Sequence, residues 1–206
     1  MPDTMPPKRL TDRKREAILR AAVDEFRTAG YEATSMDRIA AAAGVSKRTV
    51  YNHFPSKDDL FGLMLEQLWA SSSASVDLAY RSDQPLAGQL QQLLMQKLAV
   101  LADPAFIDLA RVAMAEIIHS PERAQDIVRR MNATASGVTT WIRAAQADGR
   151  IRYVDADFAS HQLEGLVKSF AFWPQVTLGQ PPLDVAGRQR VAESAVWMFL
   201  GYYSPE

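Results

Sequence analysis

Apolar residues recur along this chain at three- and four-residue intervals, the period of a helix face. Ile18, Ala22 and Phe26 form one such stripe. It predicts a first helix from about Asp12 to Ala29, capped by Gly30, because a residue without Cβ tolerates left-handed backbone. Thr34-x-x-Asp37 then reads as a capping-box variant opening a short helix, with Met36, Ile39, Ala40 and Ala43 as its apolar face. Gly44 ends that helix, Ser46 caps the next, and Pro55 closes it. Ser56-x-x-Asp59 caps a longer helix from about Lys57 to Tyr80. Further on, Pro85, Pro104, Pro121 and the Gly149 region separate helical stretches at about 85–102, 104–119, 122–148 and 155–178. The segment GQPPLD is a loop, and a last helix spans about 184–203. No run alternates like a strand between hairpin turns. The pattern predicts an all-α protein: an N-terminal arm and three-helix head with a helix-turn-helix over residues 1–56, and a helical body over 57–206.

Composition narrows the chemistry. An apolar fraction of 48% over 206 residues supplies a sizeable core. The absence of cysteine removes disulfides, thiol nucleophiles and zinc–thiolate sites. The start, MPDTMPPKRL, lacks an apolar signal core, and no segment holds the roughly 18 consecutive apolar residues of a membrane span. These features predict a soluble cytoplasmic protein.

The net charge of −1 argues against a nucleic-acid partner until it is divided along the chain. Residues 1–60 hold 11 Lys/Arg against 9 Asp/Glu, and the rest hold 12 against 15. Lys8, Arg9, Arg13, Lys14 and Arg15 crowd into eight positions at the basic end. A mildly acidic body with such an end suits local attraction to phosphates.

The stretch GVSKRTVYNHFPSKDDL, residues 44–60, carries the chemistry. Two short helices joined by AGVS have helix-turn-helix spacing. Val50 and Phe54 face inward four residues apart, leaving Lys47, Arg48, Tyr51 and Asn52 as an outward stripe. Lys47 and Arg48 suit guanine O6 and N7, Asn52 suits adenine N6 and N7, and Tyr51 offers a ring and a hydroxyl. Thr34 and Ser35 sit at a helix start whose free N–H groups favour an anion, and Thr49, His53 and Lys57 border the stripe. The same spacing also suits a small head in which Tyr51 and His53 merely close a core.

The pieces F-x-x-x-GY-x-x-TS, IA-x-x-AGVSK, TVY-x-HF and SKDDL follow in order between Thr11 and about Leu65. Together they closely resemble the DNA-binding head of TetR-family transcriptional regulators. The resemblance implies a helix-turn-helix head on an all-α body that binds an effector and dimerises. By position, it implies phosphate contacts at Thr34, Thr49, Tyr51, His53 and Lys57, and groove contacts at Ser35, Met36, Lys47, Arg48, Tyr51 and Asn52. Met36 departs from members with a polar side chain there and would offer apolar contact alone. SGVTTWIRAAQADGRI and FAFWPQVTLG are similar to the AefR-like subgroup.

For the body, the resemblance implies a small apolar or aromatic effector among the middle helices. Candidate lining residues are Trp69, Phe106, Met114, Ile118, Trp141, Phe170 and Trp173, with Arg111, Glu116 and His119 for polar contact. Aromatics at helical spacing equally suit a plain core. Glu116-x-x-His119 and His161-x-x-Glu164 lack the further carboxylates of a di-metal site, so neither a metal nor another cofactor is expected. The last two helices carry more apolar residues than one internal stripe needs. The resemblance implies a homodimer interface there, formed by Phe158, Leu163, Leu166, Val167, Phe170 and Trp173 with Val191, Ala195, Trp197, Met198 and Leu200, that sets two heads on a pseudo-palindromic DNA operator. The family resemblance favours a repressor. An activator, a helical enzyme or a scaffold with a silent head remain as alternatives, although no phosphate loop or nucleophile elbow is present.

Overall fold

The computed structural model describes residues 10–74, 79–119, 125 and 137–205, with side chains for these apart from Leu10 and residues 67–74. Among the described residues every regular element is helical: α1 (Leu10–Ala33), α2 (Met36–Ala42), α3 (Lys47–His53), α4 (Lys57–Ala74), α5 (Leu86–Leu101), α6 (Pro104–His119), α7 (Gly137–Ala147), α8 (Ala156–Ala171), α9 (Trp173–Leu178) and α10 (Val185–Tyr203). The all-α reading stands. The chain divides into two compact units, Met1–Gln67 with Val112–Ile127, and Leu68–Arg111 with Val128–Glu206. The first turns of α4 therefore belong to the head unit, beyond the boundary drawn at 56/57 from sequence.

In the head, Ile18, Ala22 and Phe26 are fully buried, as their spacing predicts. Ile39, Val50, Phe54, Leu60, Phe61 and Met64 complete this core. Helix α2 packs on α1 and α3 on α2. The turn between α2 and α3 is a Schellman closure: Gly44 N–H donates to Ala41 O at 3.2 Å and Val45 N–H to Ala40 O at 3.1 Å. It needs the positive φ of Gly44, +65°.

Two boundaries differ from the sequence reading. The cap of α2 is Ser35, whose Oγ accepts from Arg38 N–H at 3.3 Å, one residue later than expected. Thr34 is unavailable because its hydroxyl faces carbonyls of α1. Tyr80 is not helical: its hydroxyl donates to Asp148, while Arg150 Nη1 ties down the Ser82 and Gln84 carbonyls at 3.0 and 2.9 Å. Of the helix expected over 122–148, the structure describes Gln125 and α7, and the rest lies outside the described residues.

The body core is built on α5, whose Leu90, Leu93, Leu94, Leu98 and Leu101 are buried. Helix α10 lies on α5 and α8, and its Ala192 and Ala195 permit close approach. Helix α8 also receives α7 and α9. The single helix expected over 155–178 is interrupted at Phe172. Pro174 has no N–H for the ladder, and its ring would clash with the preceding turn. Gln175 covers the break from inside: its side-chain amide donates to Leu101 O at 2.8 Å and to Ala171 O, and its backbone carbonyl receives Arg111 Nη2 at 2.7 Å.

One ionic cluster is sealed into this body. Lys97 of α5 meets Glu164 of α8 at 2.6 Å, and Lys168 meets the same carboxylate at 2.7 Å. Burial lowers the Lys97 pKa, with the Glu164 charge opposing. Burial would raise the pKa of Glu164, but the two ammonium groups outweigh it and hold the carboxyl below its ordinary 4.5. A depressed carboxylate pKa means stability that is present above the unfolded value and lost as pH falls through the folded one. Glu164→Gln strands the Lys97 charge and is expected to cost about 3–5 kcal/mol in urea unfolding at neutral pH. The deficit should shrink below pH 4.5. A deficit that persists unchanged at low pH would show that the charge is not its source.

Candidate nucleic-acid interface

Helix α3 is short, and its ends are fixed by its own sequence. Ser46 Oγ accepts from Thr49 N–H at 3.1 Å and shares a hydrogen bond with the Thr49 hydroxyl at 2.8 Å. Val50 and Phe54 hold one face in the core, and Arg15 of α1 lies over the Phe54 ring at 5.3 Å. Rigid attachment on that side leaves Lys47, Arg48, Tyr51 and Asn52 together on the solvent face, with Tyr51 43% exposed despite its size. Thr49 and His53 flank them, half-buried.

Lys47 is already paired. Its Nζ lies 2.8 Å from Asp37 of α2 and 6.0 Å from the centre of the Tyr51 ring. The hydrogen bond and charge of Asp37 raise its pKa, so it stays cationic at any physiological pH. Both partners are exposed, which keeps this pair weak enough for a phosphate or a base edge to displace. From sequence Asp37 reads only as the partner of Thr34 in a capping box; its pairing with Lys47 of the next helix comes from the structure.

The segment before α2 is organised by a break. Gly30 has φ +78° and ψ 171°, a region essentially confined to glycine, and not the left-handed cap expected from sequence. Around this break, side chains take up carbonyl groups near the end of α1. Thr34 Oγ1 lies within donating distance of Gly30 O at 2.7 Å and Glu25 O at 3.1 Å. Lys57 Nζ donates to Tyr31 O at 2.8 Å and Thr34 O at 3.1 Å, and reaches Glu32 O at 3.5 Å. The Thr34 side chain is consequently buried, and so is Met36, which lies on the apolar face of α2. Of the three groups carried over in Thr34, Ser35 and Met36, Ser35 alone presents its side chain to solvent.

The candidate effector residues are dispersed. In the body unit, Trp141 is enclosed in the core and meets Tyr80 edge-on at 5.7 Å, and Phe106 packs partly buried against that core. Phe170 and Trp173 are exposed. On the second half of α6, Met114 is half-buried and Ile118 exposed. The Trp69 side chain lies outside the described residues.

Comparison with known proteins decides what this head belongs to. Residues 18–64 match the model for "Bacterial regulatory proteins, tetR family", and residues 88–205 match the model for the "AefR-like transcriptional repressor, C-terminal domain". The chain is a TetR-family transcriptional regulator. A solved structure of a TetR-family regulator from Pseudomonas syringae pv. tomato is 52% identical, with a TM-score of 0.84 over 96% of this chain and 100% of that one. The Flavonoid-responsive Regulator FrrA is 26% identical, with a TM-score of 0.77 over 95% and 99% of the two chains. The transcriptional repressor NicS of Pseudomonas putida is 31% identical over 68% of this chain and 67% of its own. The TetR-family regulator is thus a DNA-binding protein and not an enzyme. Among the described residues no helix is long and apolar enough to cross a membrane.

Gly30→Ala in this regulator tests the break. A Cβ there meets nothing within 4 Å, so the cost is backbone strain alone. It should come to about 1–3 kcal/mol in thermal unfolding. A neutral substitution would mean that the turn relaxes freely.

Proposed function

We propose that this regulator is a homodimeric, cytoplasmic repressor that holds a pseudo-palindromic operator through α3 and releases it when a small apolar or aromatic effector enters the body. The outward stripe of Lys47, Arg48, Tyr51 and Asn52 on a capped, core-anchored helix carries the reading. It combines two cationic donors, an amide and an aromatic hydroxyl on one groove-sized face, which is what direct readout of base edges requires. Thr49 and His53 border that face, Ser35 stands exposed at the start of α2, and all three suit phosphate contacts that position without specifying sequence.

The dimer is supported by the outward-facing part of the apolar residues on the C-terminal helices. Leu163 and Val167 of α8 and Ala195 of α10 belong to the protomer's own core and are unavailable for an interface. A second set points outward: Phe158 on α8, and Trp197 and Met198 on α10, with Trp197 79% exposed. Gly165 and Gly201 are exposed on the same two helices and let partner helices approach closely. Binding of such a dimer to two half-sites requires its α3 helices to stand about 34–36 Å apart, or a multiple of it. Trp197→Asp should shift the protein from dimer to monomer in sedimentation velocity and abolish operator binding at sub-micromolar protein. A stable dimer in that variant would place the interface elsewhere.

The effector reading is supported by the aromatic body, by the buried Trp141 Nε1, which has no acceptor among the described residues, and by the flavonoid response for which FrrA is named. An effector acts only through its difference in affinity for two conformations, and roughly 5.5 kcal/mol moves a population from 1:99 to 99:1.

Fluorescence anisotropy with a duplex selected from a random pool by the wild-type protein tests the whole reading. Arg48→Ala should weaken binding by about 1–3 kcal/mol and relax one base position. Added aromatic ligands should release the wild-type complex. An unselective Arg48→Ala loss, equal on every sequence, would reduce α3 to a phosphate-binding element.

A further inference from the structure

Lys57 is the first residue of α4, and its ammonium sits against the turn that joins α1 to α2. Three carbonyl oxygens surround it, those of Tyr31, Thr34 and Glu32, at 2.8, 3.1 and 3.5 Å. Its charge also lies 4.1 Å from the centre of the Tyr31 ring. The next residue, Asp58, accepts the Tyr31 hydroxyl at 2.5 Å. The same ring stacks on Phe26 at 5.5 Å and meets Phe61 of α4 edge-on at 4.9 Å. The start of α4 thus grips one aromatic residue by its carbonyl, its face and its hydroxyl.

We propose that Lys57, Tyr31 and Asp58 form a positioning clamp that sets the pose of α2 and α3 for DNA, and that Lys57 acts through this clamp instead of as a phosphate ligand. An ammonium has three N–H groups and no more. Here each has a carbonyl in reach, so a phosphate gains a donor only by breaking one of these hydrogen bonds. The Tyr31 and Glu32 carbonyls belong to the last turn of α1, which ends at Ala33, and the Thr34 carbonyl follows directly after it; the Tyr31 carbonyl also accepts Thr34 N–H at 3.2 Å. Thr34 O, one of the three, immediately precedes the Ser35 cap of α2. A displaced turn therefore tilts α2, and with it α3, which packs on α2 and is joined to it by Asp37 and Lys47.

Tyr31 separates the two roles of Lys57, because at 5% exposure it cannot itself reach a phosphate. Binding to the selected duplex and to mixed-sequence DNA is measured by anisotropy across a salt series for wild type, Lys57→Gln and Tyr31→Phe. The wild-type curve on the selected duplex reports separately on operator binding, on which the clamp reading rests. Both variants should bind the selected duplex about tenfold more weakly, as expected when hydrogen bonds to charged groups are removed. Both should weaken less on mixed-sequence DNA, and both should keep the wild-type slope of log affinity against log salt. A slope shallower by about 0.9 in Lys57→Gln, the value of one neutralised phosphate, would overturn the proposal. So would wild-type affinity in Tyr31→Phe. The second variant removes a single oxygen, so it keeps the test decisive even if Lys57→Gln melts the head.

Discussion

An all-helical chain must find partners for the free N–H and C=O groups at the end of every helix, and the architecture here rests on how that is done. Ser35, Ser46, Asp155 and Asp184 each supply an oxygen to the first turn of a helix, and Ser56 does so as half of a capping box. Gly44 and Gly149 turn carbonyl ends back on themselves with positive φ. Where those local devices are insufficient, a distant side chain takes over. Thr34 and Lys57 cover the broken end of α1, and Gln175 covers the end of α5 together with the break at Phe172. Each long-range cap also fixes one helix against another, so closing the backbone and assembling each unit are the same event.

Charge is distributed to match these tasks. At the DNA-reading face of the head, Lys47 and Arg48 stand exposed on α3, whereas Lys57 is half-buried and serves the backbone. In the body, the Lys97–Glu164–Lys168 cluster joins α5 to α8 where leucine would have packed more simply. A buried pair of this kind is weak evidence for stability but imposes register, because a helix that slips leaves a charge without its partner.

Much of this was legible in the sequence. Helix period and capping residues located α2, α3, α5, α6 and α10 closely, because those helices begin at Ser, Asp or Pro and end at Gly, Pro or a loop. The outward stripe on α3 followed from phase alone. What sequence could not show was where side chains go across distances of many residues. Thr34 is 9 residues from the Glu25 carbonyl it faces and Lys57 is 26 from Tyr31, so both read as free polar groups beside a helix start. Likewise, the apolar residues of α8 and α10 were visible, but periodicity could not sort Leu163 and Ala195, which face the protomer core, from Phe158 and Trp197, which face outward.

The placement of the four tryptophans has an optical consequence. Trp69, Trp141, Trp173 and Trp197 all fall in the body unit, and the head has none. Indole emission therefore originates in the body unit, with Trp69 two residues past the end of the head at Gln67. Trp141, enclosed beside Tyr80, and Trp197, open to solvent, also differ enough in surroundings to emit at different wavelengths. The body thus carries one native reporter of its interior and one of its outer face, and the head's own aromatic signal comes from its tyrosines, Tyr31 and Tyr51.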